Sequence, residues 1–149
     1  MRLHTVRFGS VEVDESRIVT FAAGLPGFGG LRRFAMLWAD RREIFWWLQS
    51  IEDPAVCFLA TDPGLWVADY SVDLRPEDLT RLGLRRSEDA VVLALVSRHG
   101  ERITANLRAP LVIDASSRRG LQLVSTGESR WGLRHDLAHV DAPALAGIA

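Results

Sequence analysis

The stretch EIFWWLQSIEDPAVCFLATD, residues 43–62, places two runs of β-forming residues on either side of a short turn. In the first run, residues 43–51, strand alternation puts bulky apolar side chains on both faces of the predicted strand. The second run, residues 55–62, is apolar almost throughout, which is typical of a central strand that is covered on both faces. The two runs therefore predict strands at the centre of a β-rich fold.

Other short strands are predicted on both sides of this centre. The candidates are residues 6–8 and 11–13 around a turn at Gly9-Ser10, then 17–21, 32–39, 89–97, 103–114 with a break at Pro110, and 118–125. One short helix is predicted over residues 75–84, where Pro76 suits the first turn and Gly83 suits the C-terminal end. This pattern predicts a mostly β fold with one short helix, and its turn spacing favours an antiparallel sandwich or a small barrel.

Length and composition are those of an ordinary globular chain. The chain has 149 residues, of which 48% are apolar and 25% charged, with a formal net charge of −1. These values predict one domain over residues 1–137, followed by a loose tail over residues 138–149. The near-neutral charge argues against a general nucleic-acid binder, because such proteins neutralise phosphates with a basic surface. No signal peptide and no apolar run of about 18 residues is present, so we expect a cytoplasmic protein without a membrane partner.

The stretch FAAGLPGFGGLRRF, residues 21–34, is unusually rich in glycine. A phosphate-binding P-loop needs lysine and a hydroxyl residue after its last glycine, and a dinucleotide site needs a following helix; this stretch has neither. We therefore expect a structural loop in which Gly24 and Gly27 adopt positive φ angles while Leu25 and Phe28 plug the core. In this hypothesis the loop carries the chain from an N-terminal hairpin sheet into the main barrel.

The sequence contains no recognisable set of catalytic residues. His135 and His139 are spaced as two ligands of one metal, but a glutamate after the first histidine and a third ligand are missing, so we interpret the segment as a solvated terminal turn. Asp53 and Asp62 precede prolines, as aspartates of turns do. The single cysteine, Cys57, excludes an internal disulfide and a multi-cysteine metal site. We predict no enzymatic activity, no cofactor, no metal and no small-molecule ligand.

The five tryptophans are the least ordinary feature of the composition. Trp46 and Trp47 suit a core better than an interface, whereas Trp66 lies in the loop sequence DPGLWVADY and is the better interface candidate. The arginines at positions 32, 33, 41 and 42 would support a basic RNA-binding stripe, although a solvated turn face explains them better. An RNA-binding β-barrel that acts directly on messenger RNA is therefore the alternative function.

Five segments in order resemble the FliW family of bacterial flagellar assembly factors. They are FAAGLPGF, WWLQSIEDPAVCFLATDP, ADYSVDL, ANLRAPLVID and RRGLQLV, and the resemblance extends from about residue 6 to residue 137. It implies a small antiparallel β-barrel-like fold without catalysis. It further implies a protein antagonist that binds the translational regulator CsrA, which relieves repression of flagellin messenger RNA. Flagellin is implied as the second partner, in competition with CsrA, and no direct contact with nucleic acid is expected.

The resemblance and the loop composition together predict a set of partner-contacting residues. These are Trp66, Asp69, Tyr70 and Asp73, with Gln49 and Asn106 as further candidates. A second interpretation of the motif residues Gln49 and Asn106 is structural: a buried side-chain amide forms hydrogen bonds with backbone groups and so supports the fold. The acids around ADYSVDLRPED, namely Asp69, Asp73, Glu77 and Asp78, are predicted to form a patch that meets a basic regulator and speeds encounter.

Overall fold

A computed structural model gives the structure of the protein and describes residues 1–39, 41–124 and 130–137. Within these ranges the chain forms eleven β-strands, one α-helix and short 3₁₀ helices at Glu15–Arg17, Pro63–Leu65 and Ser87–Asp89. The strands and the helix are β1 Arg2–Thr5, β2 Gly9–Glu12, β3 Ile18–Phe21, β4 Arg33–Trp38, β5 Phe45–Ser50, β6 Cys57–Thr61, α1 Pro76–Leu82, β7 Ala90–His99, β8 Arg102–Ala105, β9 Leu111–Asp114, β10 Arg119–Gln122 and β11 His135–Asp136.

Seven of the strands close into a barrel. Their order is β7-β6-β5-β4-β3-β10-β9, and β9 then pairs with β7 to complete the ring. Strand β7 makes this closure because residues 90–93 pair with β9 while residues 94–96 pair with β6. The mostly β, barrel-like fold with one helix is confirmed. All neighbouring pairs in the ring are antiparallel except β3 and β10, which run parallel.

The barrel interior is filled by side chains of these strands together with Leu25 from the loop between β3 and β4. Its buried members are Val19, Phe21, Leu25, Phe34, Leu48, Ala60, Leu93, Leu111 and Ile113. Leu48 and Ala60 belong to the stretch 43–62 and have no exposed surface, as expected for central strands. Phe21 and Phe34 meet edge to face with ring centroids 5.9 Å apart. A Cβ at Gly120 would lie 2.6 Å from Cε1 of Phe21, so glycine lets β10 approach β3 at the parallel pair.

Three elements cover the outer face of the barrel. The β1–β2 hairpin places Leu3 and Val13 over Ala35, and α1 places Leu82 over Val112. The third cover is the loop over residues 62–75, which packs half-buried side chains on the outer face of β5, β7 and β8. The outer faces are therefore also largely apolar, which explains why the central strands show little polar alternation in sequence.

The N-terminal hairpin turns earlier than predicted. Thr5 pairs with Gly9, so residues 6–8 form the turn and Gly9-Ser10 lies within β2. The physical reason is Thr5, whose hydroxyl accepts a hydrogen bond from Phe8 N–H at 2.8 Å and donates one to Gly9 O at 2.9 Å. Val6, which the prediction placed in a strand, is consequently exposed.

The glycine-rich loop joins β3 to β4 within the barrel. Gly24 and Gly27 have φ angles of 70° and 85°, which confirms their predicted backbone conformation. Leu25 is buried in the barrel interior as predicted, but Phe28 is 42% exposed and only meets Phe58 edge to face at 5.1 Å. The predicted crossover role is wrong, because β3 already belongs to the barrel and the chain leaves the hairpin sheet through residues 13–17.

The helix prediction is confirmed at both ends. Pro76 begins α1, and Gly83 follows it in the left-handed conformation with φ 74°. The carboxylate of Asp78 accepts a hydrogen bond from Arg75 N–H at 3.0 Å and so caps the first turn. No helix in the described parts of the chain is long and apolar enough to cross a membrane.

The segment around His135 forms a strand, which corrects the prediction of a solvated turn. His135 and Asp136 pair with Ala105 and Thr104 of β8. The guanidinium of Arg102 donates to both carboxylate oxygens of Asp136 at 2.9 Å, so a non-local ion pair supports the pairing. His139 and the predicted loose tail, residues 138–149, lie outside the described residues.

Candidate protein-interaction surface

The loop over residues 62–75 is fixed to the end of β6 by local hydrogen bonds. Asp62 accepts from Gly64 N–H at 2.8 Å, and Pro63 begins a 3₁₀ turn. This turn directs the Trp66 indole back to the sheet, where its N–H donates to Thr61 Oγ1 at 3.1 Å. Trp66 also packs on Phe45, with ring centroids 6.0 Å apart. The predicted contact residue Trp66 is therefore half-buried and anchors the loop.

The large apolar side chain that this loop presents to solvent is Leu65. It is 60% exposed, beside the half-buried Trp66. Leu65 was not predicted as a contact residue, because the sequence of a leucine next to a tryptophan does not indicate which of the two side chains points outward. The 3₁₀ turn directs Trp66 inward and so leaves Leu65 on the surface.

Tyr70 holds the distal half of the loop. Its hydroxyl donates to Leu107 O at 2.8 Å, and its ring lies 4.8 Å from that of Trp131. Burial raises the pKa of Tyr70 to about 12. The neighbouring Asp69 is exposed and forms an ion pair with Arg130. The predicted pair Asp69 and Tyr70 thus connects the loop to residues 130–137.

The predicted acidic patch is smaller than the sequence suggested. Asp69, Asp73 and Glu77 are exposed. Asp78 is only 4% exposed because its carboxylate turns inward to cap α1, so it is not part of an accessible patch. Three carboxylates rather than four are therefore accessible in this region.

Gln49 acts as a buried scaffold residue in this structure. Its amide N–H₂ donates to the carbonyls of Ser50, Pro54 and Val56, each at 3.2 Å, and so holds the turn between β5 and β6. Its Oε1 is buried and has no hydrogen-bond partner among the described residues. The side chain does not reach the surface, so contact between Gln49 and a partner requires this turn to open.

Asn106 shapes the connection between β8 and β9. Its Oδ1 accepts hydrogen bonds from the N–H groups of Arg108 and Ala109, both at 3.1 Å, in the turn that precedes Pro110. The residue is half-buried and also lines a groove on the outer face of the barrel. Of the predicted contact residues, Asn106 therefore lies apart from the loop over residues 62–75.

This groove, here called the arginine groove, was not predicted from the sequence. It has a volume of about 790 Å³ and an apolar floor that includes Trp47, Leu59, Val96 and Ile103, with Arg7, Arg98 and Arg134 also in its lining. Those arginines come from the β1–β2 turn, β7 and the segment after residue 130. No local pattern links residues so far apart in sequence, so only the fold brings them together.

The tryptophans of β5 have different environments. Trp47 is 5% exposed, which confirms the core interpretation for this residue. The guanidinium of Arg7 lies 4.4 Å from the centroid of the Trp47 ring, and Phe8 meets that ring edge-on at 5.8 Å. Trp46 is half-buried and stacks on the exposed Trp38 with centroids 4.6 Å apart.

Two kinds of reaction chemistry, metal binding and attack by a thiol, place specific requirements on the described residues. Among the described residues no group of three or more His, Cys, Asp or Glu side chains could hold a metal ion. Burial raises the pKa of the Cys57 thiol to about 11, against a smaller lowering by Arg7, so the thiol is protonated at neutral pH. A protonated thiol is a poor nucleophile.

Comparisons with known proteins agree with one another. The model of the FliW protein family matches residues 2–137. The flagellar assembly factor FliW of Syntrophus aciditrophicus strain SB is 35% identical over 139 residues, covering 92% of this chain and 87% of that protein. The protein of the same name from Treponema pallidum strain Nichols is 36% identical, covering 92% and 91% respectively. A crystal structure of a flagellar assembly factor FliW superposes with a TM-score of 0.82 at 30% identity, covering 92% of this chain and 96% of the other.

Proposed function

The chain belongs to the FliW family, and we propose that it is a flagellar assembly factor that acts in the cytoplasm by binding proteins rather than by catalysis. The observation that carries this proposal is the match over residues 2–137, together with the shared barrel at a TM-score of 0.82. The relatives of similar length bear that functional name, so the proposal concerns the whole barrel and not a fragment of it.

Two partners are proposed for this chain. The first is the translational regulator CsrA, whose repression of flagellin messenger RNA would be relieved when it is bound. The second is flagellin, which would displace CsrA and so couple flagellin synthesis to its export. The exposed Leu65, in the same loop as the exposed Asp69 and Asp73, supports a protein interface, since an interface combines apolar groups with a polar rim.

The direct test is calorimetric titration of the purified protein with CsrA and, separately, with flagellin from the same cell. We expect micromolar or tighter binding to each, and displacement of CsrA when flagellin is added. Absence of binding to both partners would overturn the proposal, while binding to both without displacement would overturn only the competition.

The RNA-binding alternative has weaker support from the structure. Arg33 forms an ion pair with Glu52 at 3.7 Å, and Glu52 also accepts from the N–H groups of Arg32 and Arg33. The Arg33 guanidinium and the N–H groups of Arg32 and Arg33 thus take part in local interactions with Glu52. Fluorescence anisotropy with a labelled flagellin messenger leader, in the absence of CsrA, distinguishes the two functions. Saturable binding that is lost in an Arg41→Glu, Arg42→Glu variant would favour the RNA-binding function.

A further inference from the structure

The arginine groove carries a more specific inference about recognition. We propose that it binds an acidic, partly apolar segment of a protein partner, and this inference rests on the proposed function as a protein-binding factor. Three features carry it: a gap between two strands, an apolar floor, and arginines in a lining whose described residues include no acid.

The groove lies where β6 and β7 separate. Their ladder runs from the pair Leu59–Val96 to the pair Thr61–Ala94, so Cys57 lies beyond its end. Ser50 N–H donates to Val56 O at 2.9 Å, so Val56 is hydrogen-bonded to β5. Hydrogen-bonded and non-hydrogen-bonded positions alternate along an antiparallel ladder, so Cys57, the next residue, is not hydrogen-bonded to β5. The backbone amide and carbonyl of Cys57 therefore point away from β5 and into the gap. An extended peptide can add to such an exposed backbone.

The floor offers apolar contact to such a segment. Val96 and Ile103 are 9% and 8% exposed, and they lie beside the half-buried Leu59. Leu133, which is 56% exposed, also lines the groove. A volume of about 790 Å³ accommodates several side chains of a peptide.

The charge of the groove selects the chemistry of the segment. Its lining includes Arg7, Arg98, Arg134 and His99, and among the described residues no aspartate or glutamate lines it. Arg98 is oriented by a hydrogen bond from its Nε to Gly100 O at 2.9 Å. The nearby Asp136 is already paired with Arg102. Carboxylates that flank the apolar part of a peptide would meet complementary charge, and arginine binds carboxylates in a bidentate geometry.

A nucleic-acid segment fits these features less well. The groove has one tryptophan, Trp47, and the Arg7 guanidinium lies over its ring at 4.4 Å while Phe8 contacts its edge. A nucleobase needs an open aromatic face on which to stack. A tryptophan ring that is covered in this way, in a groove lined by arginines, therefore favours a peptide carboxylate as the ligand.

The first test compares charge-reversal variants in binding to CsrA and to flagellin. We expect Arg98→Glu, Arg134→Glu to weaken binding to at least one of them by about tenfold or more, because two favourable charge pairs become repulsive. The control Arg41→Glu, Arg42→Glu makes the same charge change on exposed residues outside the groove, and we expect a change below about twofold. Thermal unfolding checks that each variant is folded. If the double variant does not fold, the single variant Arg134→Glu is tested in its place.

The second test examines the groove without a native partner. The probe is a fluorescein-labelled synthetic peptide with two leucines flanked by glutamates, and its counterpart carries lysine in place of glutamate. We expect the wild type to bind the acidic probe more tightly than the lysine probe, and the groove variant to lose this preference.

The outcomes separate this inference from the proposed function. If the wild type binds CsrA or flagellin and the groove variant binds as tightly, the groove inference is overturned while the proposed function stands. If the wild type binds neither partner, the proposed function fails and the peptide probes decide the groove alone. Equal binding of both peptide probes, or binding of neither, would overturn the groove inference. Displacement of the acidic probe by a single-stranded RNA of equal charge would assign the groove to RNA instead.

Discussion

At the scale of single residues, two positions show how the geometry of a turn depends on contacts with residues a few positions further along the chain. Gly24 adopts a φ angle of 70°, and a Cβ built there would lie 2.7 Å from the carbonyl oxygen of Gly29. Gln49 donates its amide hydrogens to three carbonyls of the following turn. Both residues belong to motifs of the family resemblance, and in the structure both stabilise turns of the barrel.

Replacing Gly24 by alanine tests the close backbone approach. We expect Gly24→Ala to lower the free energy of unfolding by about 1–3 kcal/mol, because alanine is strained at positive φ and its Cβ meets backbone atoms. Gly30→Ala is the matched control in the same loop, since a Cβ there has no atom within 4 Å. Urea denaturation followed by tryptophan fluorescence measures both. Equal stability of the two variants would contradict this account of Gly24.

Replacing Gln49 separates its scaffold role from the predicted partner contact. We expect Gln49→Leu to lower the free energy of unfolding by about 1–3 kcal/mol, since the turn between β5 and β6 loses the three hydrogen bonds that the Gln49 amide donates, although Pro54 O and Val56 O keep backbone donors. Binding to CsrA and flagellin, measured well below the melting temperature, should be unchanged because the side chain is buried. Normal stability with weakened binding would instead support direct contact between Gln49 and a partner.

At the scale of elements, the loop over residues 62–75 shows how a surface segment is held in place. Trp66 anchors its first half to Thr61, and Tyr70 anchors its second half to Leu107. These anchors fix the backbone that carries Leu65 and Asp69. We therefore expect the loop to present its exposed groups in a defined geometry before a partner binds.

The titration of Tyr70 tests this anchoring. Tyr70 is the single tyrosine of the chain, so absorbance at about 295 nm reports this residue alone. Burial raises its pKa to about 12 in the folded protein, against about 10 for an exposed tyrosine. The folded state therefore binds the proton more tightly, and the resulting stability is fully present below about pH 10 and lost as the pH rises towards 12.

We expect little tyrosinate at pH 11 in buffer and nearly complete ionisation at the same pH in concentrated urea. Tyr70→Phe is the control, because it should remove this part of the alkaline stability loss. A folded-state titration near the ordinary tyrosine pKa would show that the hydroxyl is open to solvent.

At the scale of the whole molecule, two surfaces of opposite charge flank one segment of chain. Arg130 and Trp131 contact the acidic loop over residues 62–75, while Leu133 and Arg134 line the arginine groove. The strand β11, which directly follows Arg134, pairs this segment with β8. A partner with both basic and acidic regions could therefore engage both surfaces at once.

The acidic surface is tested by association rates. We expect Asp69→Asn, Asp73→Asn to slow association with CsrA at low ionic strength, and the difference should shrink as salt is added. The control Glu15→Gln, Glu43→Gln removes the same charge from exposed residues outside that loop. Stopped-flow or surface-binding kinetics provide the rates. An unchanged rate in the aspartate variant would exclude electrostatic attraction by this loop.

The sequence by itself determined the central strands, the short helix and the positive-φ glycines, because each depends on alternation, helix-end residues or the absence of a Cβ within a few neighbouring residues. The parallel pair of β3 and β10, and the closure of β9 on β7, depended on pairing between distant residues, which no local pattern encodes. The same distance in sequence hid the arginine groove, and an inward turn of one carboxylate removed Asp78 from the predicted acidic patch. Periodicity thus determined which residues form strands and which of them are apolar, whereas only the closed barrel decided which side chains meet on its outer face.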